Sequence, residues 1–251
     1  KLNLTYSIAA DGSVRVSETM TADPARKDVA DLMRFGMAFE TPGMFDAVEY
    51  YGRGPMENYA DRSGAAFVGR YAQRVADQFH MKYVSPQESG TRSGLRWWRL
   101  TDDSGLGVEI CSDRHFSASA IPFAIPQLDN GSPEYVRHPG DLVPDGRTHV
   151  NIESVQSGLG CVNSWGRLPR PEYLLPYGDY SFNFLLQPVT GGREPTDNQR
   201  KSRNLFRLRL LRLHITDKSQ SMNSGTCQYT AVTIFTFSFE DTLREDSNIS
   251  F

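Results

Sequence analysis

Residues 48–62 read "VEYYGRGPMENYADR". Val48, Tyr50 and Tyr51 are strand formers, and the run breaks at Gly52-Arg53-Gly54-Pro55. Gly52 and Gly54 suit a strand-to-loop turn, and Pro55 fixes the exit. Glu57, Asn58, Tyr59, Asp61 and Arg62 then crowd polar and aromatic groups into a few positions. Two readings fit. Such a set can form a ligand-binding loop. It can equally be a buried polar staple between strands, because buried polar groups need partners and a dense Glu/Asn/Arg/Tyr set supplies them.

Outward from this stretch, alternation dominates. Leu2, Leu4, Tyr6 and Ile8 point one way, and Asn3, Thr5 and Ser7 the other. Asp11-Gly12 then turns the chain into Val14-x-Val16, a β-hairpin in which Gly supplies the positive φ. "SETMTADPARKDVADL" is polar, and Pro24 weakens any short helix there. "RFGMAFETP" and "FDAVEYYG" read as strands. So do "GLRWWRLTD" and "GLGVEICSD", joined across Asp102-Asp103-Ser104-Gly105, which is ordinary turn chemistry rather than a catalytic carboxylate pair. "FSASAIPFAI", "THVNIESVQSG" and "DYSFNFLLQPV" complete the set. Strands at short spacing between Gly, Pro, Asp and Asn, with no helix–strand alternation, predict an all-β sandwich. Trp97 and Trp98 fall on opposite faces of their strand. One belongs to the core, the other to an interface with a neighbouring domain.

The 251 residues carry a formal charge of −3 and are 39% hydrophobic, enough for one large domain or one domain with an appendage. A basic excess that would point to nucleic acid is missing, and no apolar run is long enough to span a bilayer. Cys111, Cys161 and Cys227 form neither a disulfide framework nor a C-x-x-C knuckle and read as isolated thiols. His80, His115, His138, His149 and His214 lack metal-ligand spacing, so no metal site is expected. The chain opens on a strand pattern at Lys1 without an initiator Met and reads as a fragment of something longer.

The character changes after Pro188. "VTGGREPTDNQRKSRN" is linker-like. In "LFRLRLLRLHI" the arginines recur mostly at period two, strand-like rather than as a membrane-surface helix. "YTAVTIFTFSFE" is strongly β-prone and, if unpaired, an aggregation hazard. Residues 1–188 therefore read as one domain and 189–251 as an unassigned extension or foreign tail.

"YYGRGPMENYADR" resembles the G-x-G-P-x-E-N-Y-x-D-R signature of the C-terminal supersandwich of the large bacterial β-galactosidases of glycoside hydrolase family two, the small-chain domain. "YVSPQESGTRSGLRWWRLTD", "HVNIESVQSGLGCVNSWGRLP" and "PYGDYSFNFLLQP" resemble further segments of that domain, in family order. The resemblance covers residues 1 to about 188. It implies an antiparallel, galactose-mutarotase-like supersandwich that lacks its N-terminal part, since the family's domain begins upstream of Lys1. A large exposed apolar surface is then expected.

The resemblance also implies a division of labour. Two glutamates on a TIM barrel, in the same or a partner chain, perform retaining hydrolysis of terminal β-galactosides. No such pair is expected here, so the chain should be inactive alone. Magnesium and sodium, where used, belong to the barrel; this chain needs no cofactor. The full enzyme is expected to be a bacterial homo-oligomer, with its compartment, cytoplasmic or periplasmic, left open. From this domain the family takes one tryptophan as an aromatic platform for the sugar. The matching position is Trp165, with Asn163 and Ser164 beside it; Val162-Asn163 depart from the commoner Asp-Asp. Flanking Gly158, Gly160, Gly166 and Pro169 favour a loop over a core position. Glu57, Asn58, Arg62, Glu88 and Arg92 are candidates for a sugar loop or for the staple, with Arg92 and Arg96 as partners of Glu88. Asp61 and Arg62, as sequence neighbours, are expected to pair elsewhere. Two other functions are kept open: a freestanding aldose epimerase using His138 or His149 with Glu57 or Glu88, and a non-catalytic carbohydrate-binding module.

Overall fold

The computed structural model describes residues 1–26, 28–130, 136–160, 163 and 165–191. Ser164 and the extension beyond residue 191 lie outside the described residues, as do Cys161 and Cys227. The described chain is almost entirely antiparallel β-sheet, as the alternation predicts. Its strands are β1 (Leu2–Ile8), β2 (Val14–Met20), β3 (Arg34–Pro42), β4 (Ala47–Gly54), β5 (Phe67–Arg74), β6 (Arg92–Thr101), β7 (Gly107–Ile121), β8 (Arg147–Gln156) and β9 (Tyr180–Val189). A single helical turn, α1 (Val75–Gln78), follows β5.

The strands hydrogen-bond in the order β1-β2-β9-β7-β6-β4-β5, and β8 joins β7 to β3. β7 organises this arrangement. One edge pairs with β6. The other edge is shared: Gly107–Ser112 pair with β9, and Ser117–Ile121 pair with β8. The β8–β3 pair therefore leaves the sheet at the far half of β7 and packs back across β9, where the Phe35 ring lies 5.6 Å from that of Tyr180. Two layers arise from one continuous sheet.

Between the layers lies one apolar cluster that includes Val16, Phe35, Met37, Tyr50, Leu95, Trp98, Ile110, Ile152, Phe182 and Phe184. Val14 and Val16 face this core while Arg15 faces solvent, the period-two pattern of a half-buried strand. The first hairpin turns where expected, with Gly12 at φ +85°. The Asp102–Gly105 turn is also local chemistry: Asp102 Oδ1 accepts the N–H groups of Ser104 at 2.8 Å and Leu106 at 3.0 Å.

"SETMTADPARKDVADL" holds no helix among its described residues, in line with Pro24, and its start continues β2 to Met20. Two expectations change. "FSASAIPFAI" is not a separate strand but the far half of β7. β5 was not legible because it is an edge strand with its apolar residues outward, Phe67 being 75% exposed. The apolar side of β1 is partly open, with Leu2 and Ile8 exposed and Leu4 and Tyr6 half-buried.

Trp98 is fully buried in the core. Trp97, on the opposite face, sits under the guanidinium groups of Arg99 at 5.5 Å and Arg70 at 6.0 Å. Trp98→Ala should cost about 3–5 kcal/mol through the cavity it leaves. Trp97→Ala should cost about 1 kcal/mol, the scale of an exposed cation–π contact. Denaturant midpoints of the two variants check the contrast.

Glu18 is the odd group on the core face of β2. It is only 3% exposed, and burial pushes its carboxyl up from 4.5 to about 7. The nearby Tyr6 hydroxyl has no hydrogen-bond partner. The unfolded chain loses the Glu18 proton near 4.5, whereas the folded chain keeps it until about 7. Its contribution to stability is thus full below pH 4.5 and is lost as pH rises through 7. Glu18→Gln, which cannot ionise, should match the parent at acid pH. It should gain about 3 kcal/mol on it at alkaline pH, read from thermal melts across the pH range.

Candidate functional site

The polar set that follows β4 is joined mainly to protein. Glu57 accepts the Gly90 N–H at 2.9 Å, the Tyr59 hydroxyl at 3.3 Å and the Ser89 hydroxyl at 3.4 Å, together with a short bond from the Tyr83 hydroxyl. That one carboxylate ties the loop between α1 and β6 to the end of β4. Burial, with the Glu57 carboxylate adding to it, pushes the Tyr83 phenol up to about 12. Asn58 is 1% exposed and uses both ends of its amide. It donates to Arg53 O at 3.1 Å and Met56 O at 3.0 Å, and accepts the Ser93 N–H at 3.1 Å. Arg92 opens β6 and is 2% exposed. It donates to backbone carbonyls rather than to a carboxylate: Gly90 O at 2.8 Å, Pro55 O at 3.0 Å and Gln78 O at 3.2 Å.

Glu88 does not pair with Arg92 or Arg96. Arg96 bonds its own neighbour's carbonyl, Gly94 O, and lies over Tyr51 at 5.3 Å. Glu88 instead binds Arg34 of β3, which also binds Glu153 of β8. This triad was invisible in the sequence, because its members are 54 and 119 positions apart. A carboxylate recruits whichever cation the fold delivers. The Glu153 side chain is 2% exposed. Burial pushes its carboxyl upward and the Glu88 charge adds to that, while Arg34 pulls it down. The triad joins β3, β8 and the loop before β6 where β8 ends.

The chain beyond β8 is fastened stepwise. Ser157 N–H donates to Met33 O at 2.8 Å and Gly158 N–H to Tyr173 O at 2.9 Å. Gly160 N–H donates to Asp61 Oδ2 at 2.7 Å, and Gly160 O accepts from Arg62 Nη2 at 2.6 Å. Asp61 and Arg62 thus meet on one residue and lie 3.8 Å apart, rather than finding separate partners. Past this neck comes the turn that carries Asn163 and Trp165. Asn163 Oδ1 accepts the Trp165 N–H at 3.0 Å. The Trp165 side chain stands out from the domain at 91% exposure. Beside the neck is a cavity of about 300 Å³ lined by Tyr59, Ser93, His115, Gln156, Glu172 and Tyr173, among others.

The two histidines considered for an epimerase, His138 and His149, are engaged elsewhere than at Glu57 or Glu88. His138 Nδ1 is bound at 2.6 Å to Val84 O, and His149 lies between Asp145 and Glu40. Among the described residues no group of three or more His, Cys, Asp or Glu side chains has the arrangement of a metal site. Cys111 is a free, half-buried thiol, which burial pushes up.

The fold and site define an all-β sandwich domain that presents one bare indole on a braced loop. The chain belongs to the β-galactosidase small-chain family, whose sequence profile matches residues 1–186. Curated relatives named β-galactosidase include that of Halalkalibacterium halodurans, 34% identical over 68% of this chain and 16% of the relative. That of Lactobacillus delbrueckii subsp. bulgaricus is 33% identical over 69% of this chain and 16% of the relative. That of Vibrio cholerae is 31% identical over 72% and 16%. The chain therefore spans about a sixth of the length of these relatives.

Arg34→Met should cost about 3–5 kcal/mol, because it strands the buried Glu153 charge. The loss should shrink at acid pH, where Glu153 takes up a proton. The double variant Arg34→Met/Glu153→Gln should regain most of it. Urea unfolding at two pH values measures all three terms.

Proposed function

We propose that this chain is the accessory β-domain of a β-galactosidase, and that its Trp165 indole forms an aromatic wall of the sugar site. The observation that carries this reading is the exposure of Trp165: a 91% exposed indole at the head of a loop whose neck is hydrogen-bonded to the sandwich. Water is a poor partner for so large an apolar face, so an exposed, well-placed indole marks a surface meant to be covered. The apolar C–H face of a galactose ring matches it in size and character. Asn163 holds the turn, and Ser164 adds a hydroxyl next to the indole in the sequence.

Hydrolysis itself falls to two glutamates on a TIM barrel elsewhere in the enzyme, acting as general acid/base and nucleophile. Magnesium and sodium, where the enzyme uses them, go with that barrel in this reading, as the family resemblance implies. The physiological partners are thus the barrel, a terminal β-galactoside and further copies of the whole enzyme. The epimerase reading loses support because His138 and His149 are engaged away from Glu57 and Glu88. A stand-alone binding module would need several aromatic rings along one groove. Among the described residues the other large exposed aromatic side chains are Tyr51 of β4 and Phe67 of β5.

A chromogenic β-galactoside tests the reading. The chain alone should not cleave it, and mixing with a barrel-bearing fragment should restore cleavage. In the mixture Trp165→Ala should raise KM about tenfold, equivalent to about 1.4 kcal/mol of lost stacking, with Trp165→Phe in between. Cleavage by the chain alone would overturn the proposal.

A further inference from the structure

Asp61 and Arg62 have no task in the scheme so far, yet both reach across the domain to a single residue. They sit in a tight turn closed by the Arg62 N–H to Tyr59 O bond, 3.0 Å. The turn is itself held in place. Tyr59 is 1% exposed, Asn58 is locked to β6 through Ser93, and Glu57 fastens the loop between α1 and β6. From this base the Asp61 carboxylate takes the Gly160 N–H and the Arg62 guanidinium takes the Gly160 carbonyl. These two groups belong to the two peptides that flank the Gly160 Cα, so the grip holds the orientation of the chain on both sides of that residue.

The fit around this residue is close. A Cβ at Gly158 would lie 2.7 Å from Asp61 Cγ and 2.9 Å from Tyr173 Cβ. At Gly160 the backbone has φ +63°, and a Cβ would lie 2.6 Å from Arg167 O and 2.8 Å from Pro169. Gly160 is thus the point where the outgoing chain crosses the returning one, the neck from which Trp165 projects. Only glycine allows that crossing together with the Asp61 contact. The Asp61 side chain is 9% exposed and that of Arg62 41%. Asp61 Oδ1 is buried without a hydrogen-bond partner, its nearest cation being Arg62 Nε at 3.8 Å. Burying a half-satisfied carboxylate is costly for stability alone. Placement of the loop is a gain that can offset it.

We infer that Asp61 and Arg62 are positioning residues for the aromatic platform: they clamp the backbone on both sides of Gly160 and thereby set where the loop holds the Trp165 indole. This rests on the platform role proposed for Trp165. The polar stretch that follows β4 then works at a distance. Its first half, Glu57 and Asn58, makes a rigid base, and its second half reaches over to the sugar-facing loop.

Fluorine NMR of the full 251-residue chain carrying 5-fluorotryptophan tests the clamp, since its three tryptophans give separately assignable resonances. In Asp61→Ala and Arg62→Met the Trp165 resonance should shift and sharpen, while those of Trp97 and Trp98 stay in place. Asp61→Asn, which keeps an acceptor oxygen for the Gly160 N–H, should remain close to the parent. In the mixture with a barrel-bearing fragment, the two disruptive variants should raise KM about fivefold with little change in kcat, the equivalent of about one hydrogen bond. A Trp165 resonance unchanged in Asp61→Ala and Arg62→Met overturns the inference. So does an unchanged KM where Trp165→Ala raises it. Should Asp61→Ala unfold, the half-exposed Arg62 decides through Arg62→Met. An unchanged KM in Trp165→Ala itself would sink the platform reading, while the fluorine spectra would still judge the clamp.

Discussion

The fold turns on how β7 meets the hydrogen-bonding demand of its outer edge. A strand of 15 residues presents donors and acceptors along both sides, and inside a domain each needs a partner. β6 serves one side. The other is divided between β9 and β8. Because two strands share one edge, they must diverge, and the space between them has to be filled. Phe35, Met37 and Ile152 from one branch and Phe182 and Phe184 from the other fill it. The core is the consequence of that split edge, and so is the position of the end of β8, from which the Trp165 loop departs.

At that end the domain exchanges apolar packing for polar bracing. Arg34 between Glu88 and Glu153 joins two strands and a loop. Glu57, Asn58 and Arg92 join the same loop to β4 and β6, largely through backbone groups. Irregular chain cannot satisfy its own peptides as a sheet does, so side chains do it instead. These bonds fasten the chain at this end to the strands beneath it. A firm base is what an exposed side chain needs if it is to meet a ligand in one orientation, because ordering the chain on binding would cost affinity.

Legibility followed the range of the interaction. The Gly12 hairpin and the Asp102 turn were readable because their physics is contained within a few residues. β3, β8 and β9 were readable because each shows its apolar face at period two. β5 was not, since an edge strand turns Phe67 and Val68 outward and blurs that period. β7 was read as two strands, since nothing local says that a strand should change partners halfway. The exposed position of Trp165 was legible from its glycine-rich surroundings, and the bracing by Glu57 and Asn58 from their density. Arg34 and Glu153 were missed because each lies in an ordinary strand, and only the fold brings them to Glu88.

What the residues alone determined is the all-β class, the hairpin turns, the family and the loop that carries the indole. The class, the turns and the loop depend on backbone preference and periodicity, which act between near neighbours; the family rests on the resemblance of whole motifs. What only the tertiary structure decided is which charge meets which: Arg34 rather than Arg92 for Glu88, and Gly160 for both Asp61 and Arg62. Coulombic and hydrogen-bonding partners are chosen by distance in space, and the Asp61–Gly160 pair is separated by 99 positions in the chain. Local propensity has no term that reaches so far. The packing of one layer upon the other supplies it.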